Sequence, residues 1–256
     1  MILVLIDSHC HIHSKDYPDS VDAYLRAQKA EVKNIICVGI DIVDSELAVK
    51  FSSEHNGVFA AIGIHPHEAT KDLGNIDQLK TLFNSKTTKN IVAIGEIGLD
   101  YFYEHSDRKI QQQLLEQQLQ LAKDLKLPVI FHVRDAFDDF WPIFDNFSNI
   151  RGVLHSFTDI MKNAEQAFSR DLLIGINGIS TFTKDEKQQQ LFRDVPLSKI
   201  LLETDAPYLT PSPYRGKLNE PAYVKMVAEH LAKEKNISFN EVASQTSHNA
   251  TNLFYL

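Results

Sequence analysis

Eight short apolar runs alternate with longer helical stretches along a chain of 256 residues, which predicts an α/β fold, a single (β/α)8 TIM barrel with an extra C-terminal helix. The runs are continuous rather than alternating, as expected of parallel strands buried on both faces. The length is that of one such barrel, about 250 residues, so 1–256 is expected to be one domain. In five of the eight cases a His, Glu or Asp stands at or just after the end of the run.

The first strand is expected over 2–7, ending in Asp7. It is too short for a leader and lacks a basic start, so it reads as a buried strand. A helix over 20–30 leads to a strand over 33–39, and a helix over 44–53 to a strand over 58–63. A helix over 76–84 precedes the fourth strand, 91–96. The long pattern 107–126 precedes the fifth, 128–132, and 136–144 precedes the sixth, 151–154. Helices over 161–169 and 184–192 flank a strand over 172–175. The eighth strand, 199–204, is followed by a closing helix pair, 220–235 and 239–253. The glutamine runs 111–113 and 188–190 read as solvated helix faces, since Gln is a fair helix former. Trp141 and Phe144 read as helix packing.

Apolar residues make up 43% of the chain and charged residues 23%, the balance of an ordinary soluble globular protein. The net charge of −8 argues against a general nucleic-acid coating protein, though not against a pocket that holds one or two phosphates. No apolar stretch approaches the ~18 residues of a membrane span. Cys10 and Cys37 form no disulfide framework and no CxxC pair, which points to a reducing cytoplasm. Cys10 is expected to face away from its histidine neighbours, as a core thiol.

The residues that close the runs are metal-ligand types: His9, His11, Glu96, His132, His155 and Asp205. His9 and His11 are two apart, so on an extended chain both imidazoles point to one side. In a barrel the C-terminal strand ends meet at one rim, where active sites are built. Four imidazoles and two carboxylates suffice for two divalent ions (Mg, Mn or Zn). His9, His11, Glu96 and Asp205 are assigned to one, and Glu96, His132 and His155 to the other. Such ions activate water and clamp a phosphate, so the chain reads as a metal-dependent hydrolase, first of all a phosphodiesterase. Asp205 is expected to bind an ion and accept a proton from water, and Glu203 to tune it or hold a water. Arg134 and Arg215 suit phosphate contacts, and Tyr101, Phe102, Tyr103 and Tyr208 are candidates for stacking on bases. Asp7 and Asp100 are expected in loops or in hydrogen bonds supporting the ligands.

Several motifs resemble those of the TatD family of metal-dependent deoxyribonucleases. They are Ile6-Asp7-Ser8-His9-Cys10-His11, Gly63-Ile64-His65-Pro66-His67, Gly95-Glu96-Ile97-Gly98-Leu99-Asp100 and His132-Val133-Arg134-Asp135-Ala136. His155-Ser156-Phe157, Glu203-Thr204-Asp205-Ala206-Pro207-Tyr208 and Ser212-Pro213-Tyr214-Arg215-Gly216-Lys217 with Asn219-Glu220-Pro221 continue the match over nearly the whole chain. The resemblance implies an amidohydrolase-like TIM barrel with one or two divalent ions. It also implies nuclease activity, often exonucleolytic from a 3′ end of single-stranded DNA, with DNA ends as the partner and no obligate protein partner. It favours His65 as an active residue on a phosphate or leaving group and gives His67 a weaker part in substrate contact. His13 and Asp159 depart from the usual pattern and bear on substrate preference. The rival reading is a metal-dependent amide or ester hydrolase acting on a small molecule or aminoacyl-RNA; a metal-stabilised partner module without turnover is a third.

Overall fold

The computed structural model describes residues 4–85, 90–103 and 105–256. Its strands are β1 (Leu5–Cys10), β2 (Val32–Val38), β3 (Val58–Ile62), β4 (Ile91–Asp100), β5 (Val129–Arg134), β6 (Gly152–Leu154), β7 (Leu172–Ile176) and β8 (Ile200–Leu202). They form one sheet in chain order, and β1 meets β8 at a parallel bridge between Cys10 and Ala206. The fold is the (β/α)8 TIM barrel.

Ten α-helices are described: α1 (Ser20–Lys29), α2 (Ile42–Glu54), α3 (Ala69–Asp72), α4 (Ile76–Phe83), α5 (Arg108–Leu125), α6 (Phe137–Phe144), α7 (Met161–Ser169), α8 (Glu186–Asp194), α9 (Val224–Lys235) and α10 (Phe239–Phe254). Among the described residues no helix is long and apolar enough to cross a membrane. The expected elements are present with shifted ends. The first strand runs on to Cys10, and its expected first residues, up to residue 3, lie outside those described. The fourth runs to Asp100 because Ile97–Asp100 continue to pair with Phe131–Arg134 beyond an irregularity. Helix α3 was not expected; it follows a 3-10 turn, Pro66–Glu68, with Pro66 at its first position and His65 as its cap.

By contacts the chain divides into two compact units. The first holds the chain up to Cys37 and Ser156–Leu256. In it β1 pairs with β2 and β7 with β8. Helix α10 begins with a reciprocal capping box between Ser238 and Glu241. It packs on β1 and β8, and its buried Asn249 donates to the Leu197 and Ile200 carbonyls at 2.9 and 2.8 Å.

The second unit, Val38–His155, carries β3 to β6, with β3–β4, β4–β5 and β5–β6 pairing in parallel. Phe137, Phe140, Trp141 and Phe144 of α6 are buried, and Phe140 and Phe144 meet Phe131 of β5 at 5.2 and 5.8 Å between ring centroids. Helix α5 packs on β4, and its Leu114, Leu115, Leu119 and Ala122 are buried. Here the sequence reading of Gln111–Gln113 needs correction, because Gln111 is fully buried. Its side chain accepts from the Asp100 amide at 2.8 Å and donates to the Asp100 and Ser106 carbonyls at 3.1 and 2.9 Å. Gln118, seven residues on and on the same face, pairs with both backbone groups of Ile64 at 2.8 and 2.9 Å. A primary amide has both a donor and an acceptor, so each can complete the N–H and the C=O of one backbone residue.

Candidate metal centre

In the first unit the period-two geometry of β1 sets His9 and His11 side by side, their Nε2 atoms 3.1 Å apart. Cys10 between them is buried opposite Cys37, its register partner on β2. Asp205 follows the end of β8 in a left-handed conformation (φ 58°), which Asp tolerates better than most residues. Its amide donates to the His9 carbonyl at 2.9 Å. Its Oδ1 lies 3.6 Å from His9 Nε2 and 3.5 Å from His11 Nε2. With metal–ligand bonds near 2.1 Å, ligand atoms are separated by about 3.0 Å in an octahedral site and about 3.4 Å in a tetrahedral one. The three donor atoms fit a divalent ion at that spacing.

The support beneath this triad is polar and fully buried. Asp7 accepts from the Thr204 amide at 2.8 Å, the Thr204 hydroxyl at 2.6 Å and the His9 amide at 3.4 Å. Burial pushes the Asp7 carboxyl well above the usual carboxylate range, and the Thr204 bonds offset part of that. Asn219 Nδ2 donates to the Thr204 and Tyr208 carbonyls, and its own carbonyl accepts from Tyr17 at 2.9 Å. Glu203, expected among the catalytic groups, is fully buried. It accepts from the Ser156 amide at 2.6 Å and from Asn177 at 3.3 Å. A Cβ on Gly175 would come within 2.2 Å of its Oε2, so the glycine makes room for it. His13 is buried and lies against the Cys37 thiol rather than in an open loop.

In the second unit Glu96 Oε1 gathers three imidazoles. It lies 3.0 Å from His132 Nδ1, 3.1 Å from His155 Nε2 and 3.5 Å from His65 Nε2. The donor atoms of His65, Glu96 and His132 fall within one ion's reach of each other. His132 Nε2 is held by Asp100 Oδ2 at 2.8 Å, the carboxylate–histidine pairing that orients metal ligands. Burial works against a charged His132, but its bonds to Asp100 and Glu96 prevail and raise its pKa. Burial likewise opposes an ionised Asp100, yet His132, His67 and the Tyr103 amide hold its carboxyl well below the usual range. His65 is driven well below the ordinary histidine value by burial and by His132. Its Nδ1 accepts from the His67 amide at 3.1 Å, so the neutral ring carries its proton on Nε2.

A Cβ on Gly98 would meet the His132 carbonyl at 1.8 Å, and its φ of 152° favours glycine. Strand β4 and His132 approach closely for that reason. Asp41, Glu68 and Asp72 also converge, but Lys71 Nζ reaches all three, at 3.2, 3.5 and 3.6 Å.

The expected substrate contacts are distributed differently. His67 Nε2 is 3.1 Å from Asp100 Oδ2. The Arg134 guanidinium lies 4.0 Å over Phe102 and 4.8 Å over Tyr103. Arg215 donates to the Thr210 carbonyl at 2.9 Å and lies 3.8 Å over Phe182, bracing its loop. Sequence reasoning placed Asp7 and Asp100 in loops or supporting bonds; both are strand residues that make those bonds. It missed Gln111, Gln118, Thr204 and Asn219. Strand parity alone links Glu96, Gly98 and Asp100 on one face and carries a usable signal for Asp100.

A family model described as TatD related DNase matches residues 6–255. An uncharacterized metal-dependent hydrolase of Bacillus subtilis, YabD, is 36% identical, with 98% of this chain and 99% of that one covered. The 3′-5′ ssDNA/RNA exonuclease TatD of Salmonella typhimurium is 33% identical over 92% of this chain and 93% of its own length. The crystal structure of YjjV, a TatD homolog from Escherichia coli, superposes with a TM-score of 0.92 at 29% identity, covering all of both chains.

Proposed function

The chain belongs to the TatD family and is a metal-dependent hydrolase, and from that premise we propose that it is a deoxyribonuclease removing nucleotides from the 3′ end of single-stranded DNA. The observation that carries the reading is the convergence of His9, His11 and Asp205 at the spacing of metal ligands. The relative named as a 3′-5′ ssDNA/RNA exonuclease supports the choice of bond and polarity, and makes single-stranded RNA the companion substrate to test. A cytoplasmic location belongs to the same reading, in keeping with two buried free thiols.

His9, His11 and Asp205 would hold one divalent ion, and Glu96, His132 and His155 a second. When bound, such ions acidify water and neutralise phosphate charge. The chain's own groups supply the rest. Asp205 accepts the proton of the attacking water at a carboxylate oxygen. His132 offers Nδ1 while its Nε2–H is donated to Asp100, which fixes the ring. His65, with its proton on Nε2, donates to a phosphoryl or leaving-group oxygen. His67 and the guanidinium groups of Arg134 and Arg215 hold the strand. Glu203 works from beneath, keeping the Ser156 amide and Asn177 in place.

The test is release of nucleotides from 3′-labelled single-stranded DNA by metal-stripped protein resupplied with Mg, Mn or Zn, with Asp205→Asn alongside. Asn also tolerates the left-handed backbone, so the variant is expected to fold, to bind metal and to lose turnover by at least about 100-fold, the scale of an acid–base group. Full turnover by the variant at normal metal content would remove Asp205 from the chemistry. Absence of release by wild type with metal bound would transfer the site to amide or ester substrates.

A further inference from the structure

We propose that Phe102, Tyr103 and Arg134 form a stacking subsite for a nucleobase of the strand being degraded, beside the Glu96–His132 group. The proposal rests on the nuclease reading and deepens it. Phe102 and Tyr103 leave the end of β4 and are 54% and 51% exposed. Two large rings in water at a strand end are costly unless something covers them. They are not loosely held. Both backbone amides donate to Asp100 Oδ1 at 3.0 Å, so the segment is tied at its base. The rings stand nearly perpendicular, 86° with centroids 4.8 Å apart. Arg134 fills the corner, its guanidinium 4.0 Å over one ring and 4.8 Å over the other. Among the described residues no carboxylate pairs with it, so its charge stays available to an anion. His105 stacks on Tyr103 at 5.7 Å and 15°.

The platform is fixed relative to the chemistry through one carboxylate. Asp100 takes the Phe102 and Tyr103 amides on Oδ1 and His132 Nε2 on Oδ2. A ligand suited to this corner is flat and apolar on its face and carries a phosphate within reach of Arg134, which describes a nucleotide. A base must leave its stack to lie on such a ring, so the subsite favours single strands over duplex.

The test uses the full chain in EDTA, which prevents turnover, and the anisotropy of a 5′-fluorescein octathymidylate. A second probe has abasic residues at its three 3′ positions, with every phosphate kept. Wild type is expected to prefer the intact probe by about 5- to 150-fold, the value of one base on one ring. In Phe102→Leu, which keeps apolar volume, that ratio falls toward one while affinity for the abasic probe is unchanged; Phe102→Trp restores it. Equal binding of the two probes by wild type, failure to bind either, or an unchanged ratio in Phe102→Leu would overturn the subsite. Metal-loaded protein is run on both probes in parallel. Equal cleavage of the two sinks the subsite and leaves the nuclease reading standing. Cleavage of neither, with base-dependent binding intact, sinks the nuclease reading instead.

Discussion

A carboxylate that accepts from an imidazole and two backbone amides, with a second imidazole in contact, has its orientation and charge fixed together. Asp100 is such a group: His132 lies at 2.8 Å, His67 at 3.1 Å and the amides of Phe102 and Tyr103 at 3.0 Å. Asp100→Asn keeps the shape but removes the charge that holds His132 by Nε2–H. Metal affinity and turnover are expected to fall about 10- to 100-fold, the usual effect of losing a ligand's orienting partner; isothermal titration with Zn or Mn reads the first. The pH dependence of the metal-free protein gives an independent check. The Asp100 pKa is depressed on folding, so its contribution is present above its unfolded value, about 3.9, and is lost as pH falls toward the lower folded value. The His132 pKa is raised, so its contribution is full below about 6.5 and is lost as pH rises through the folded value. The stability gap between wild type and Asp100→Asn is therefore expected to be widest between about pH 4 and 6.5, measured by denaturant unfolding in EDTA. A gap that grows toward pH 8 would contradict this. The residues proposed as ligands, such as His9 and Asp205, stand out in the sequence because residue type and strand end coincide. Thr204 and Asn219 were harder to read, because a hydrogen bond to a residue distant in the chain leaves no spacing in the sequence.

At the scale of elements, β4 and α5 show what periodicity reveals and what it hides. The apolar runs announced all eight strands. The end of β4 was placed four residues early, because its pairing through Gly98 and Asp100 to His132 and Arg134 depends on the partner strand rather than on its own hydrophobicity. Helix α5 was legible by period, but the face carrying Gln111 and Gln118 was not, since polar residues at core positions look like solvent positions until their partners are known. Gln111 completes both backbone groups of Asp100, and replacing it by Leu preserves bulk while stranding them and the Ser106 carbonyl. A buried unpaired polar group costs about 1–3 kcal/mol. Gln111→Leu is expected to lose about that much in urea unfolding even after partial relaxation. Exposed Gln113→Leu is expected to stay within about 0.5 kcal/mol. Equal effects at the two positions would return Gln111 to the solvated face first expected of it.

The whole molecule carries a net charge of −8, an unfavourable field for an enzyme proposed to act on a polyanion. The two divalent ions proposed above would halve that charge, at the site proposed for the phosphate. The same ions bear on stability. Asp205 with His9 and His11, and Glu96 with three imidazoles, are buried or part-buried donor groups held at ligand spacing, and a cation is the partner that satisfies several lone pairs at once. A ligand at 100 times its dissociation constant stabilises by about 2.7 kcal/mol, which for a chain of this length corresponds to a melting shift of about 5–10 °C. Metal-stripped protein is expected to melt lower than the Mn- or Zn-loaded form by that order, read by differential scanning calorimetry. The His9→Ala, His11→Ala double variant, already destabilised without metal, should recover only the smaller part of the shift attributable to Glu96, His132 and His155. A full shift in the double variant would show that the stabilising ion sits elsewhere, and the first donor triad would lose its role as a metal site even if the fold and the family stand.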